Sequence, residues 1–390
     1  MGPAHELLLH VFDLDTTVPP DFSFQVQIVE GGDGRLAVEL VDRWPHCQFT
    51  TLTRDWRQLQ VARERSSNLS NVQVRDTVWP LIEDHASLRP LAMGELAPIS
   101  PLGNVALGQV MPCDVALLAI PKGRQFARSL LARIWSVLRP GGKLLLAGPS
   151  NLGAKPVIAD AAALFGHAEV LSYRRHQRVA YCVRQSDGAQ RPDWLCQPGI
   201  APGTMHKLCL DRPEGEWHLC TLPGVFSWQS LDEATQLLLI HLRVRPGQRV
   251  WDVGCGYGAL GLAAAQAGAR DVTMTDVDLL ALQCTRENAK RLGVANRVRV
   301  FGADGVSSEE GRFDLVVSNP TFHRGHDQDR SMAQKLISQS PSVLDPNGSL
   351  LLVANRFLPY GKWMGNSFAN VRCLGETTKF RVWQGEMGAA

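Results

Sequence analysis

At 390 residues the chain exceeds one ordinary domain, so two are expected. With 45% hydrophobic and 20% charged residues it has ample material for packed cores, which excludes a disordered chain. A net charge of +2 excludes a global basic field, so any nucleic-acid contact must come from local patches.

The chain opens without a basic segment leading into a long apolar run, and no apolar stretch reaches membrane-spanning length. A soluble cytoplasmic protein without a membrane partner is expected. Along the first half, Ile28-Val29-Glu30-Gly31-Gly32-Asp33-Gly34 reads as a strand entering a glycine-rich turn, and Thr51-Leu52-Thr53-Arg54-Asp55 as the end of the next strand. Further on, Asp114 to Pro121 resembles Asp314 to Pro320, with one extra residue in the first copy. Leu138-Arg139-Pro140-Gly141-Gly142 before Leu144 matches Leu344-Asp345-Pro346-Asn347-Gly348 before Leu350, each a helix end, a Pro-Gly turn and a buried strand. Several matches in the same order indicate a duplication.

Residues 186–223, rich in Pro, Gly, Asp and Trp, read as a linker with a hairpin around Met205 to Leu222. A helix is expected from Leu231 to Leu242, after which strands and helices alternate as in a doubly wound parallel sheet. The domain boundaries read as 1–185, 186–223 and 224–390. Nine cysteines, odd in number and without a CxxC pair, indicate reduced buried thiols, with neither a disulfide framework nor a metal site.

The chemistry-bearing pieces lie in the second half. Val250-Trp251-Asp252-Val253-Gly254-Cys255-Gly256-Tyr257-Gly258 is an apolar strand running into a turn whose alternating glycines let the backbone approach a ligand. Its spacing differs from the dinucleotide pattern G-x-G-x-x-G and lacks the Lys-Ser/Thr of a phosphate loop. That leaves a nicotinamide oxidoreductase the weakest rival. A helix from Ala259 to Ala267 should follow, its N-terminus able to receive a carboxylate. The next strand, Asp271 to Thr275, ends at Asp276, where an acid can accept from a ribose diol, with Val277 beside it. After the strand Val298 to Phe301 comes Asp304, able to accept from an adenine amino group or to serve as a turn or cap residue.

The apolar run Phe313 to Ser318 ends in Asn319-Pro320-Thr321-Phe322. An exocyclic amine is a poor nucleophile because its lone pair is delocalised into the ring. Two acceptors, the Asn319 side-chain oxygen and the Pro320 carbonyl, can pull it toward a pyramidal geometry, and Phe322 offers a stacking ring. His323 and Arg324 read as phosphate contacts or solvated loop residues.

On these residues the chain resembles the ribosomal RNA guanine-N2 methyltransferases, namely methyltransferase C of the small subunit and its relative, methyltransferase G of the large one. The tandem arrangement, the junction Leu222-Pro223-Gly224-Val225-Phe226-Ser227 with Leu231-Asp232, the Asp252–Gly258 turn and the Asn319–Phe322 motif carry the resemblance over nearly the whole chain. It implies two tandem Rossmann-like class I methyltransferase domains, the first degenerate and helping to hold RNA. It implies S-adenosyl-L-methionine as cofactor, ribosomal RNA or a ribosomal subunit as partner, and N2-methylguanosine as product. The family has a second Pro where this chain has Thr321, which bears on rate and substrate. Adenine N6, a protein glutamine amide and a non-catalytic RNA-binding paralogue remain as alternatives. Basic clusters at Lys122-Gly123-Arg124 and Arg174–Arg178 are candidates for phosphate contacts, and a monomer is favoured.

Overall fold

The computed structural model describes residues 2–14, 23–77, 112–174, 176–185, 191–211, 215–320 and 326–388. The chain divides into two compact units, Met1–His206 with Leu222–Gly224, and Lys207–Thr221 with Val225–Ala390.

The first unit is built on β1 (Gln25–Val29), β2 (Gln48–Thr53), β3 (Val72–Asp76), β4 (Cys113–Ala119), β5 (Leu138–Pro149), β6 (Glu169–Arg174) and β7 (Gln177–Val183), in the sheet order β3-β2-β1-β4-β5-β7-β6. A hairpin of β8 (His206–Leu210) and β9 (Trp217–Thr221) follows. The second unit holds β10 (Arg249–Val253), β11 (Asp271–Asp276), β12 (Val298–Gly302), β13 (Phe313–Ser318), β14 (Leu344–Asn355), β15 (Asn370–Glu376) and β16 (Phe380–Glu386), in the order β12-β11-β10-β13-β14-β16-β15. Counting each unit's strands from one to seven, the two orders are the same. In both sheets the first six strands run in one direction, and the seventh runs antiparallel between the fifth and the sixth.

The parallel strands are apolar because helices cover both faces of the sheet. Val250, Trp251, Val316 and Leu350 are wholly buried, as are Ile28, Leu117 and Leu145 in the first unit. The duplication extends to individual atoms. Asp114 Oδ2 accepts from the Gln25 backbone N–H at 2.8 Å, and Asp314 Oδ2 from that of Arg249 at 2.7 Å, so each acid ties the fourth strand to the start of the first.

The expected Pro-Gly turns lie inside the fifth strands as bulges. Pairing jumps from Cys113↔Leu138 to Val115↔Lys143 in one sheet and from Phe313↔Leu344 to Leu315↔Ser349 in the other. Gly142 and Gly348 are needed there, because an added Cβ would come within 2.9 Å of backbone carbonyls.

The register removes the extra residue expected between the two fourth strands. Val26 pairs with Val115 just as Val250 pairs with Leu315. Ala119 therefore stands at the position of Asn319, and Ile120 at that of Pro320. The Pro121–Pro320 match that suggested an insertion follows from two different prolines.

Among the described residues no helix is long and apolar enough to cross a membrane. Of the basic candidates, Arg124 is engaged within the fold, donating to both carboxylate oxygens of Asp160 at 2.7 and 2.8 Å. The Arg178 guanidinium lies 5.1 Å from the centre of the exposed Tyr173 ring. Arg175 and the Arg174 side chain lie outside the described residues.

Candidate active site

In the second unit the order β12-β11-β10-β13 reverses direction between β10 and β13, and at such a switch the strand ends open a crevice for a ligand. Asp252 lies in β10 and the turn 254–258 leaves its end. Asp276 closes β11, Asp304 follows β12, and Asn319 and Pro320 follow β13. The fold thus brings together at one sheet edge the sites predicted from sequence, except Phe322, which with Thr321, His323 and Arg324 lies outside the described residues.

The turn has left-handed backbone at Gly254 (φ 73°), Gly256 (φ 56°) and Gly258 (φ 97°). A Cβ on Gly254 or Gly256 would meet nothing within 4 Å, whereas one on Gly258 would press on Leu262 Cδ1 at 2.9 Å and Met274 Cε at 3.1 Å. The first two glycines border open space and the third lets the helix Ala259–Gln266 pack on the sheet.

Each segment of the turn is pinned. Gly254 and Cys255 donate to the Thr275 carbonyl at 2.8 and 2.9 Å. The Gly256 N–H donates to Asp276 Oδ2 at 2.8 Å, and its carbonyl accepts from Thr285 Oγ1 at 2.7 Å. The Tyr257 carbonyl accepts from Asn288 Nδ2 at 2.9 Å. Asn288 is fully buried and also clasps both backbone groups of Cys220 in β9.

The Asp252 carboxylate is wholly covered. Its Oδ2 accepts from the Gly261 N–H at 2.8 Å, inside the first turn of the helix, while Oδ1 has no protein partner. Burial pushes its pKa up to about 7, with the nearby Asp276 charge adding to the rise. Asp276 is half-buried; besides Gly256 it accepts from the Asp278 N–H at 2.8 Å, and its pKa is raised to about 6 by burial and then by Asp278. A carboxylate has about four lone-pair sites, so capacity remains for a ligand's hydroxyls. Val277 is half-buried and Asp304 exposed.

Asn319 is half-buried, and its Nδ2 donates to Asp232 Oδ2 at 3.0 Å and Thr235 Oγ1 at 2.8 Å. Asp232 caps the helix Glu233–His241, its Oδ2 accepting from the Thr235 N–H at 3.0 Å. Asp232, Thr235, Thr285 and Asn288 were not singled out as site residues from the sequence. An acid just before an apolar helix with Thr three positions on marks a cap, and Thr285 with Asn288 at helical i, i+3 spacing marks one face. Neither pattern says which loop those side chains will reach.

The open cradle over Gly254 and Gly256, with an acid at the end of the next strand, fits a nucleoside-bearing cofactor such as S-adenosylmethionine. Fold and site together define a Rossmann-like methyltransferase, and residues 216–384 match the methyltransferase small domain family. Relatives extend over more of the chain. The ribosomal RNA small subunit methyltransferase C of Chromohalobacter salexigens is 34% identical over 70% of this chain and 78% of its own length. That of Pseudoalteromonas atlantica is 32% identical over 69% and 76%. The chain belongs to the ribosomal RNA small subunit methyltransferase C family. Among solved structures, the T. thermophilus 16S rRNA N2 G1207 methyltransferase, in complex with AdoMet and guanosine, is 25% identical with a TM-score of 0.72, covering 99% of this chain and 92% of that one.

Proposed function

We propose that this chain transfers a methyl group from S-adenosylmethionine to the exocyclic N2 amine of a guanosine in small-subunit ribosomal RNA, in the cytoplasm. The observation that carries the reading is an Asn-Pro pair at the end of β13, one strand from a glycine turn that borders open space. The family relatives and the AdoMet- and guanosine-bound structure named above support it.

Bound S-adenosylmethionine supplies an electrophilic methyl on a positively charged sulfur. The protein's part is to bind and to aim. Gly254 and Gly256 give room for close backbone approach, and Asp276 would accept from the ribose hydroxyls. Val277 and Asp304 would contact the adenine, and Asp252 acts through the helix start it holds by accepting from the Gly261 N–H. Asn319 Oδ1 and the Pro320 carbonyl accept the two N–H groups of the guanine amine, so that its lone pair faces the methyl. Phe322 is assigned to stacking by its place in the motif.

No strong base is required. As the new C–N bond formed, the methyl's bond to sulfur would break with its electron pair left on the departing thioether, and the N–H, acidic once the nitrogen has its fourth bond, would then lose its proton to solvent. Alignment and acceptor strength therefore account for most of the rate.

Full-length protein incubated with S-adenosylmethionine and unmethylated small-subunit rRNA should yield N2-methylguanosine by nucleoside mass spectrometry. Asn319→Ala should lower the single-turnover rate by about a hundred- to a thousandfold, the scale of losing one transition-state hydrogen bond, with cofactor affinity kept within a few-fold. N6-methyladenosine or methylated glutamine as the product, or an unaltered rate in Asn319→Ala, would overturn the proposal.

A further inference from the structure

A side-chain amide can lie in its site either way round, and only one orientation suits Asn319. With Oδ1 toward the substrate it accepts from the guanine amine; flipped, it would set two donors against another donor. In the structure Nδ2 is held by Asp232 Oδ2 at 3.0 Å and Thr235 Oγ1 at 2.8 Å, from a helix start more than eighty residues earlier in the chain. An ionised carboxylate can only accept, so the Asn319 atom facing Asp232 must be the NH2 group.

Asp232 is itself held, since Oδ2 also accepts from the Thr235 N–H at 3.0 Å and lies 3.4 Å from the Thr235 hydroxyl. The three side chains form a closed triangle whose free corner is Asn319 Oδ1.

We infer that Asp232, with Thr235, is the positioning residue that locks the Asn319 amide with its oxygen toward the substrate amine. The assignment rests on the methyl-transfer reading above, and it adds an electrostatic consequence. A negative charge on the NH2 end draws amide electron density toward Oδ1, and bonds in such a chain polarise one another. Oδ1 becomes a stronger acceptor as positive charge develops on the substrate nitrogen, so the benefit falls on the transition state more than on binding.

Helix capping alone is the competing account of Asp232, and two variants of the full-length protein separate them. Ser and Asn both cap helices about as well as Asp. Asp232→Ser keeps the cap but removes the carboxylate that Asn319 Nδ2 donates to, leaving it Thr235 Oγ1 alone; Asp232→Asn keeps both cap and acceptor. If Asp232 positions Asn319, Asp232→Ser should melt within a few degrees of the parent and bind S-adenosylmethionine within about threefold. It should lose roughly ten- to a hundredfold in kcat, the scale of one hydrogen bond to a charged group. Asp232→Asn should recover most of that loss. Thr235→Val, which removes the second acceptor and leaves the Asp232 carboxylate in place, should lose several-fold and guards against misfolding of the Ser variant.

A second readout needs neither cofactor nor activity. The two side-chain amide proton resonances of Asn319 should shift and exchange faster in Asp232→Ser, and stay close to the parent in Asp232→Asn. An unchanged kcat and unchanged Asn319 resonances in Asp232→Ser would overturn the inference, as would equal losses in the Ser and Asn variants. If the parent methylated no guanosine while the Asn319 resonances still responded as expected, the proposed function would fall and the amide lock would stand.

Discussion

Asp252 and Asp276 sit on neighbouring strands, and both carboxyls titrate well above the usual carboxylate range, at about 7 and about 6, chiefly because burial disfavours their charge. In the unfolded chain both would titrate near 4. Between those limits the folded protein holds protons that the unfolded chain releases, so stability from these groups falls as pH rises from about 4 to about 7. Ligand binding should run the other way, because the proposed contact with a ribose diol needs Asp276 ionised as a strong acceptor. Cofactor affinity measured by calorimetry should weaken as pH falls below about 6, approaching tenfold per unit, while the melting temperature of the ligand-free protein rises over the same interval. Asp276→Asn should bind weakly at every pH and flatten the affinity profile; an Asn variant with the parent's pH dependence would show that another group controls binding. Asp252→Asn should leave the affinity profile in place and reduce the fall in melting temperature between pH 5 and pH 8.

The turn after the first strand is where the two units can be compared most closely. Its left-handed positions Gly254, Gly256 and Gly258 have counterparts at Glu30 (φ 56°), Gly32 (φ 60°) and Gly34 (φ 80°). Its anchors recur as well: Gly31 donates to the Leu52 carbonyl at 2.9 Å as Cys255 does to that of Thr275, and Arg65 donates to the Asp33 carbonyl at 2.6 Å where Asn288 serves Tyr257. Glu30 shows that a residue with a side chain can build the first left-handed position. Glycine at 254 is thus kept for room, since conformation alone does not demand it. The remaining glycines should separate under substitution. Gly256→Ala puts a methyl into open space at a φ that alanine adopts at a cost of about 1–2 kcal/mol, so it should fold with a modest loss of stability and a large loss of cofactor affinity. Gly258→Ala adds contacts of 2.9 Å with Leu262 and 3.1 Å with Met274 to a harsher φ of 97°, so its melting temperature should fall further. Equal melting temperatures and equal affinities in the two variants would remove the distinction. The glycine spacing and the strands on either side were legible in the sequence because turn and strand chemistry are local. The side chains that pin the turn were not, since Thr285 and Asn288 read as one more helical face until the helix is laid beside the loop.

At the scale of the whole chain, the duplication was legible from the paired Asp114 and Asp314 and from the Pro-Gly and Asn-Gly bulges, all of which hold matching places in the two sheets. The register of the fourth strands was not, because Pro121 offered a false partner for Pro320, and only the pairing of Val26 with Val115 settles that Ala119 stands where Asn319 does. The copies share their backbone and differ in their chemistry. Where the second unit has Asp252 and Asp276, the first has Ile28 and Thr53, buried to 1% and 2% exposure. Where the second has Val277, the first has Arg54, whose guanidinium donates to the Gly224 carbonyl at 2.9 Å and lies 4.7 Å from the centre of the Phe126 ring. Gly224 is itself required there, since at φ 98° an added Cβ would come within 2.7 Å of Arg54 Nη1. The strand end proposed to serve the cofactor in one unit thus holds, in the other, the backbone of Gly224. With no acid to receive a ribose and Glu30 in place of the first open glycine, the first unit should bind no S-adenosylmethionine. Calorimetry on the full-length protein should therefore give one cofactor per chain. Asp276→Ala should weaken that single site by roughly ten- to a hundredfold, the scale of losing hydrogen bonds to a charged acceptor, and should uncover no second one. Two equivalents bound by the parent, or one tight equivalent surviving in Asp276→Ala, would mean that the first unit kept a cofactor pocket its side chains do not reveal.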